Sequence, residues 1–167
     1  MVKLLLPQSA LPLTARPSKS ASYVLFFPDN SPEKTLKRVR VLLADDHPNF
    51  LAVTTRLLEP EFEVVKTVCD GQATIDEMVK LEPEVLVLDI TMPALNGIEV
   101  ARQLRASGSK VKIVLVTVHE DADYARAGLA AGAQSYVVKS RLSTDLPVAL
   151  KEVLAGRSFV SPCVRLE

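Results

Sequence analysis

Five polar residues of this sequence have the side-chain types that phosphoryl transfer requires: Asp45, Asp46, Asp89, Thr117 and Lys139. Three carboxylates close together repel one another unless a cation lies among them, and Mg²⁺ is bound by carboxylate oxygens. An ammonium group and a hydroxyl group suit the oxygens of a phosphoryl group. A carboxylate can also act as the nucleophile and form an acyl phosphate. If the five groups meet, their charges favour transfer of a phosphoryl group to an aspartate.

Each of these residues alone has an ordinary structural explanation. An acidic pair after a strand often caps a helix or lies in a solvated loop. Thr117 has a side chain that suits a strand, and Lys139 could be a surface lysine. The functional interpretation therefore depends on whether the fold brings all five residues together.

The elements that would position them are alternating apolar strands and amphipathic helices. Helical spacing of apolar residues separates five runs of strand composition, which are residues 39–44, 62–68, 85–88, 111–116 and 135–138. Five such units in residues 39–156 predict an α/β fold, a doubly wound five-stranded parallel sheet with helices on both faces. Pro147 is expected in the first turn of the last helix, where a missing N–H is harmless.

The five polar residues all fall at the carboxyl ends of predicted strands. Asp45 and Asp46 follow the first strand, and Asp89 ends the third. Thr117 follows the fourth strand, and Lys139 follows the fifth. Ligands of open parallel sheets bind at these strand ends, so the sequence predicts one small site containing all five groups.

Composition excludes several other classes of function. The 20 basic and 20 acidic residues give a formal net charge of zero, which argues against general binding of nucleic acid or of a membrane surface. Cys69 and Cys163 are too few for a disulfide framework and lack metal-ligand spacing. No apolar run approaches the roughly 20 residues of a membrane span, so a cytoplasmic location is expected.

Four sequence strings resemble the receiver domains of bacterial two-component response regulators. They are VLLADDHP (residues 41–48), LDITMPALNG (88–97), VTVHED (116–121) and GAQSYVVKS (132–140). The first and third are most similar to the LuxR/NarL-type subfamily, whose output is a helix-turn-helix domain. The resemblance implies the flavodoxin-like (CheY-like) receiver fold, with strand order 2-1-3-4-5.

The same resemblance implies a phosphoacceptor and a Mg²⁺ site. Asp89 would take the phosphoryl group and would also be a metal ligand. Asp46 would bind the metal directly, and Asp45 would bind it mainly through water. The backbone carbonyl of Thr91 would be a further ligand.

The resemblance also implies a switch. Thr117 would move its hydroxyl toward the phosphoryl group, Lys139 would pair with that group, and the ring of Tyr136 would turn inward as Thr117 moves. Two residues depart from the common pattern. Val118 replaces a small residue, so it is expected to restrict access to Asp89. Ser140 replaces the proline that often follows the lysine.

The flanking segments and the output are less determined. Residues 1–38 contain five prolines and no sustained periodicity, so they are expected to be a disordered or atypical extension. Residues 157–167 are expected to be a tail or the start of a linker. A single-domain receiver and a fragment of a LuxR-type regulator both fit, and direct DNA binding by this chain is not expected.

The expected partners are a sensor histidine kinase or phosphotransfer protein as donor, and a target or a second copy that meets residues 120–155. No catalysis is expected beyond acceptance of the phosphoryl group and its own hydrolysis. A phosphorylation-independent binding module is the alternative. A phosphohydrolase is disfavoured because no second aspartate lies two residues after Asp89 to act as a general acid.

Overall fold

The computed structural model of the 167-residue chain describes residues 37–166. The prediction for the N-terminal extension therefore lies outside the described residues, apart from Lys37 and Arg38. The strands are β1 (Arg40–Ala44), β2 (Glu63–Val68), β3 (Val85–Asp89), β4 (Lys112–Thr117), β5 (Ser135–Val138) and β6 (Phe159–Val160). The helices are α1 (Pro48–Leu58), α2 (Gly71–Leu81), α3 (Gly97–Ala106), α4 (Ala122–Ala131) and α5 (Leu142–Leu154).

All neighbouring strands of the sheet are parallel. Their order is β2-β1-β3-β4-β5-β6, which confirms the predicted order of the first five strands and adds a sixth at the end. The sixth strand was not predicted. It has only two residues, and these lie in the segment that the sequence indicates as a tail or linker.

Two apolar cores cover the two faces of the sheet. Leu42 and Leu86 belong to the core that packs against α2, α3 and α4, whereas Val41 and Val85 belong to the core that packs against α1 and α5. Every residue of β3 is buried, as expected for a central strand that has helices on both faces. Alternate residues of each strand therefore enter opposite cores, and the polar residues lie at the strand ends.

Helix α5 begins earlier than its apolar pattern indicates. A turn of 3₁₀ helix covers Lys139–Arg141, and α5 starts at Leu142. The prediction for Pro147 was therefore wrong, because Pro147 lies inside the helix rather than in its first turn. The turn before it contains Asp145, which is buried although it is charged. None of the helices among residues 37–166 is long and apolar enough to cross a membrane.

Candidate functional site

Three charged side chains meet at the carboxyl ends of β1, β3 and β5. The Nζ atom of Lys139 lies 2.5 Å from Oδ2 of Asp45 and 3.3 Å from Oδ1 of Asp89. Asp45 is 1% exposed and Asp89 is 3% exposed, so both carboxylates are almost entirely removed from water. One ammonium group therefore bridges two buried carboxylates, at the place where the sequence predicted convergence.

The register of the sheet produces this meeting. Ala44 pairs with Leu88, so Asp45 and Asp89 are the next residues along their two strands. Thr117 pairs with Val138, which places Lys139 one residue beyond Thr117 on the neighbouring strand. The residues are brought together by strand ends in register and not by closeness in sequence.

Gly97 fixes the backbone beside Asp89. Its N–H donates to the carbonyl of Ile90 at 2.9 Å, which ties the start of α3 to the end of β3. A Cβ atom at this position would lie 2.1 Å from the backbone oxygen of Asp89. Only glycine therefore permits this close approach of the two backbones. The Asn96 side chain caps α3 by accepting a hydrogen bond from the N–H of Glu99 at 3.0 Å.

Asp46 lies beside a residue that the sequence analysis left out of the site. Nδ1 of His47 is 2.6 Å from Oδ1 of Asp46, and the backbone N–H of His47 donates to Oδ1 of Asp45 at 2.9 Å. One ligand atom from each of these three residues can be chosen so that all lie within 4.8 Å of one another. Because His47 directly follows the acidic pair, its position in the string DDHP was the signal that could have included it.

The acidic pair has unused capacity to bind a cation. Oδ2 of Asp45 lies 2.5 Å from Nζ of Lys139, and Oδ1 of Asp46 lies 2.6 Å from Nδ1 of His47. Each of these buried oxygens keeps a second lone pair that no other donor among the described residues contacts. Buried carboxylate oxygens normally have hydrogen-bond partners or metal ions. The donor set of carboxylate oxygens therefore suits Mg²⁺.

Asp89 is held in an environment that disfavours its charge. Burial raises the pKa of Asp89 to about 6, the ammonium of Lys139 opposes that rise, and the neighbouring charge of Asp45 adds to it. A second cation would remove this penalty, since opposite charges favour the ionised carboxylate. The site is therefore arranged so that ionisation of Asp89 and binding of a cation favour each other.

Lys139 is oriented by an aromatic ring as well as by its carboxylates. Its Nζ atom lies 4.3 Å from the centroid of the Phe50 ring, which projects from α1. Such a contact contributes about 0.5–2 kcal/mol, depending on how far the cation is removed from water. Phe50 is not among the residues singled out from the sequence, so its contact with Lys139 is an addition from the structure.

Thr117 and Tyr136 contact the same backbone unit. The hydroxyl oxygen of Thr117 accepts from the N–H of His119 at 3.3 Å, and the Tyr136 hydroxyl donates to the carbonyl of His119 at 2.9 Å. Both residues are fully buried, and burial raises the pKa of the Tyr136 hydroxyl. The His119 ring stacks on Tyr124 of α4 at 4.4 Å, so this backbone unit links the strand ends to that helix.

The remaining predicted residues lie around these groups. Thr91 is exposed in the loop after β3, two residues beyond Asp89. Val118 is 66% exposed, and its expected effect on access to Asp89 stays a prediction. Ser140 lies with its hydroxyl 3.5 Å from a carboxylate oxygen of Glu120.

The chain belongs to the response regulator receiver domain family, whose pattern matches residues 41–151. Among curated proteins, it is 34% identical over 129 residues to the transcriptional regulatory protein DegU of Brevibacillus brevis, covering 76% of this chain and 55% of that protein. It is 32% identical over 126 residues to the response regulator GacA of Pseudomonas viridiflava, covering 74% of this chain and 59% of that protein. The chain thus spans somewhat over half the length of these relatives.

Solved structures agree with this assignment. A LuxR-family two-component response regulator from Aurantimonas sp. SI85-9A1 superposes with a TM-score of 0.72 at 33% identity, covering 75% of this chain and 91% of that one. The isolated receiver domain of RcsB from Salmonella enterica serovar Typhimurium, determined with the phosphomimetic BeF₃⁻, superposes with a TM-score of 0.71 at 29% identity, covering 76% of this chain and 96% of that one. The predicted CheY-like fold and the likeness to the LuxR/NarL group are therefore confirmed.

Proposed function

We propose that Asp89 accepts a phosphoryl group with the help of Mg²⁺, and that this changes a protein-interaction surface of the chain. The observation that carries the proposal is the ammonium of Lys139 lying between the buried carboxylates of Asp45 and Asp89. Burying two carboxylates side by side costs desolvation free energy that one ammonium group does not fully offset, so the cluster is weak evidence for a purely structural role. Receiver domains of response regulators take phosphoryl groups from histidine kinases, so a histidine kinase or phosphotransfer protein is the proposed donor.

The chemistry assigns a task to each side chain. A carboxylate oxygen of Asp89 forms the new bond to phosphorus while the bond to the donor's leaving group breaks, which gives an acyl phosphate. Lys139 leaves Asp45 to pair with the phosphoryl oxygens, and the Thr117 hydroxyl turns from His119 to donate to the same group. Asp89 must be ionised for this attack, which a pKa of about 6 permits at neutral pH.

The metal would be held by the acidic residues. Asp46 and Asp89 would be direct ligands, Asp45 would act mainly through water, and the backbone carbonyl of Thr91 would complete the protein's contribution. When bound, Mg²⁺ supplies positive charge that stabilises the transferring phosphoryl group. Hydrolysis of the acyl phosphate by water at the same site is the proposed extent of the chain's catalysis, so we do not propose that it acts as an enzyme on other substrates.

The proposed output passes through the surface of residues 120–155. Movement of the Thr117 hydroxyl breaks its contact with His119, whose ring stacks on Tyr124 of α4 and whose carbonyl holds Tyr136. A movement of Thr117 can therefore reach α4 through two contacts. The solved structure of two RcsB dimers bound to two parallel DNAs concerns a relative whose receiver resembles this chain. It supports homodimerisation as part of the proposal; direct DNA binding by this chain is not proposed.

Intact-mass measurement tests this function. Incubation with Mg²⁺ and acetyl phosphate, a small acyl-phosphate donor, should add the mass of one phosphoryl group to the chain. Asp89→Asn should show no adduct, whereas Asp76→Asn, which changes an exposed aspartate of α2 outside the site, should keep it. No adduct on the unaltered chain would contradict the proposal. Partner binding that is tight and unchanged by Asp89→Asn would favour the phosphorylation-independent module.

A further inference from the structure

Residues 157–164, which we call the C-terminal segment, lie against the strand that carries Tyr136 and leads to Lys139. We propose that this segment, through Ser161 and Asp145, positions Lys139 and is thereby coupled to the phosphoacceptor site. The inference rests on the proposed function and names a second route by which the state of Asp89 reaches the rest of the chain.

The segment is docked on the first half of β5 by strand pairing and hydrogen bonds. Phe159 and Val160 pair in parallel with Ser135 and Tyr136. The N–H of Phe159 donates to the hydroxyl oxygen of Ser135 at 3.1 Å, and the N–H of Ser161 donates to the carbonyl of Tyr136 at 2.9 Å. The segment is therefore part of the sheet and not a free tail.

A buried polar junction then joins this segment to α5. Ser161 is fully buried and Asp145 is 4% exposed, and the Ser161 hydroxyl donates to Oδ2 of Asp145 at 2.7 Å. Arg141 Nε donates to the same oxygen at 2.9 Å. Burial opposes the charge of Asp145, but hydrogen bonds from Arg141, Ser161 and Thr144 outweigh it and lower the pKa of this carboxyl. The junction is fully partnered, so its geometry is strongly specified.

The same hydroxyl reaches the strand that ends at the site. The oxygen of Ser161 accepts from the backbone N–H of Val138 at 3.0 Å, and Val138 immediately precedes Lys139. The side chain of Lys139 in turn reaches Asp45 and Asp89. Ser161 thus holds the backbone of the residue before Lys139, and a shift of Lys139 toward a phosphoryl group would pull on the bond between Val138 and Ser161.

Tyr136 provides a parallel connection. Its carbonyl accepts a hydrogen bond from the N–H of Ser161, while its hydroxyl donates one to the carbonyl of His119. Val160 and Val164 of the segment belong to the same apolar core as Tyr136. Coupling of this kind is reciprocal: if the docked segment favours the working position of Lys139, a change at Lys139 alters the docking of the segment by the same factor.

Hydrogen exchange measured by mass spectrometry tests the coupling without any phosphoryl chemistry. Lys139→Met should speed amide exchange in residues 157–164 by about fivefold, the effect of one ordinary hydrogen bond. Leu58→Ala removes a buried side chain on the opposite core and serves as the control for general loosening. Exchange in the segment that is the same in Lys139→Met as in the unaltered chain would overturn the inference, as would an equal acceleration in Leu58→Ala.

Phosphorylation kinetics separate positioning from a structural role. Ser161→Ala should lower the rate constant at saturating acetyl phosphate about fivefold and leave the half-saturating concentration unchanged. Ser161→Thr, which keeps a hydroxyl, should restore most of the rate, and the exposed Ser158→Ala should have no effect. Asp145→Ala, which removes the partner of the hydroxyl, gives an independent second variant.

The possible failures are distinguishable. If the unaltered chain gains a phosphoryl group but Ser161→Ala and Asp145→Ala react at the normal rate, the inference is wrong and the proposed function stands. If the unaltered chain gains no phosphoryl group, the proposed function is wrong, and the exchange measurement alone decides whether the C-terminal segment is coupled to Lys139.

Discussion

Asp89 and Asp145 are both buried aspartates beside a cation, yet their surroundings are opposite in kind. Asp145 accepts hydrogen bonds from Arg141, Thr144 and Ser161, and these lower its pKa. Burial raises the pKa of Asp89 to about 6 and the charge of Asp45 adds to the rise, while the ammonium of Lys139 at 3.3 Å and a backbone hydrogen bond from Ile90 only partly oppose it. The fully partnered carboxylate holds the structure together, whereas the poorly partnered one is left able to gain a ligand.

The largest expected effect comes from breaking the well-partnered site. Asp145→Ala leaves a buried serine hydroxyl and a half-exposed arginine without their acceptor, so we expect the free energy of unfolding to fall by about 3 kcal/mol. Urea unfolding followed by circular dichroism measures this. Asp76→Ala, an exposed acid on α2, is the control, and a loss for Asp145→Ala no larger than the control's would show that the junction does not stabilise the fold.

The pH dependence of stability should have opposite signs for the two aspartates. The folded chain holds a proton on Asp89 more tightly than the unfolded chain does, so without metal this group's contribution to the free energy of unfolding falls as pH rises from about 4 to about 6. This loss should be about 2 kcal/mol. It is measured as the change between the two pH values in the difference between the free energies of unfolding of the unaltered chain and Asp89→Asn.

Asp145 supplies the matched comparison. Its pKa is lowered in the folded chain, so its contribution is complete at neutral pH and is lost as pH falls below about 4. The difference between the free energies of unfolding of the unaltered chain and Asp145→Asn should therefore rise with pH, and should do so below about pH 4. If the two free energy differences changed with pH in the same direction, the opposite pKa shifts of Asp89 and Asp145 would be contradicted.

Mg²⁺ should affect only the poorly partnered site. A ligand that binds the folded chain stabilises it by mass action, by about 1.4 kcal/mol at ten times its dissociation constant. We expect Mg²⁺ to increase the free energy of unfolding of the unaltered chain, and to increase that of Asp145→Ala by a similar amount. Asp46→Asn should lose most of the increase; if it keeps the full increase, Asp46 is not a ligand.

The smallest expected effect concerns the Phe50 ring. Phe50→Leu removes the aromatic face that lies 4.3 Å from Nζ of Lys139. Because Leu also changes packing, the interaction is measured by a double-mutant cycle with Lys139→Met, in which we expect a coupling of about 0.5 kcal/mol in stability. Additive losses within error would show that the ring does not stabilise the ammonium group.

The site that the sequence predicted best depends on strand ends alone. Asp45, Asp89, Thr117 and Lys139 were identifiable because a parallel sheet brings the carboxyl ends of its strands together whatever the details of packing. The raised pKa of Asp89 was not predictable, since it depends on the depth of burial and on which oxygen Lys139 reaches.

The junction around Asp145 could not be found in the same way. A charged residue in the first turn of a helix normally lies at the surface, and the apolar pattern of α5 becomes regular only from Leu146. Strand β6 is too short to show an alternating pattern. The contact between Ser161 and Asp145 joins residues 16 apart through the tertiary structure, so no local rule reports it.

Strand β6 also has a consequence for how the protein behaves at high concentration. The open side of a sheet can pair with another chain and so start aggregation. At one side β2 exposes Glu63, Lys66 and Thr67, which disfavour such pairing, whereas at the other side β6 pairs with the buried strand β5. A version of the protein shortened at residue 157 would uncover an apolar strand, and we expect it to self-associate and lose solubility.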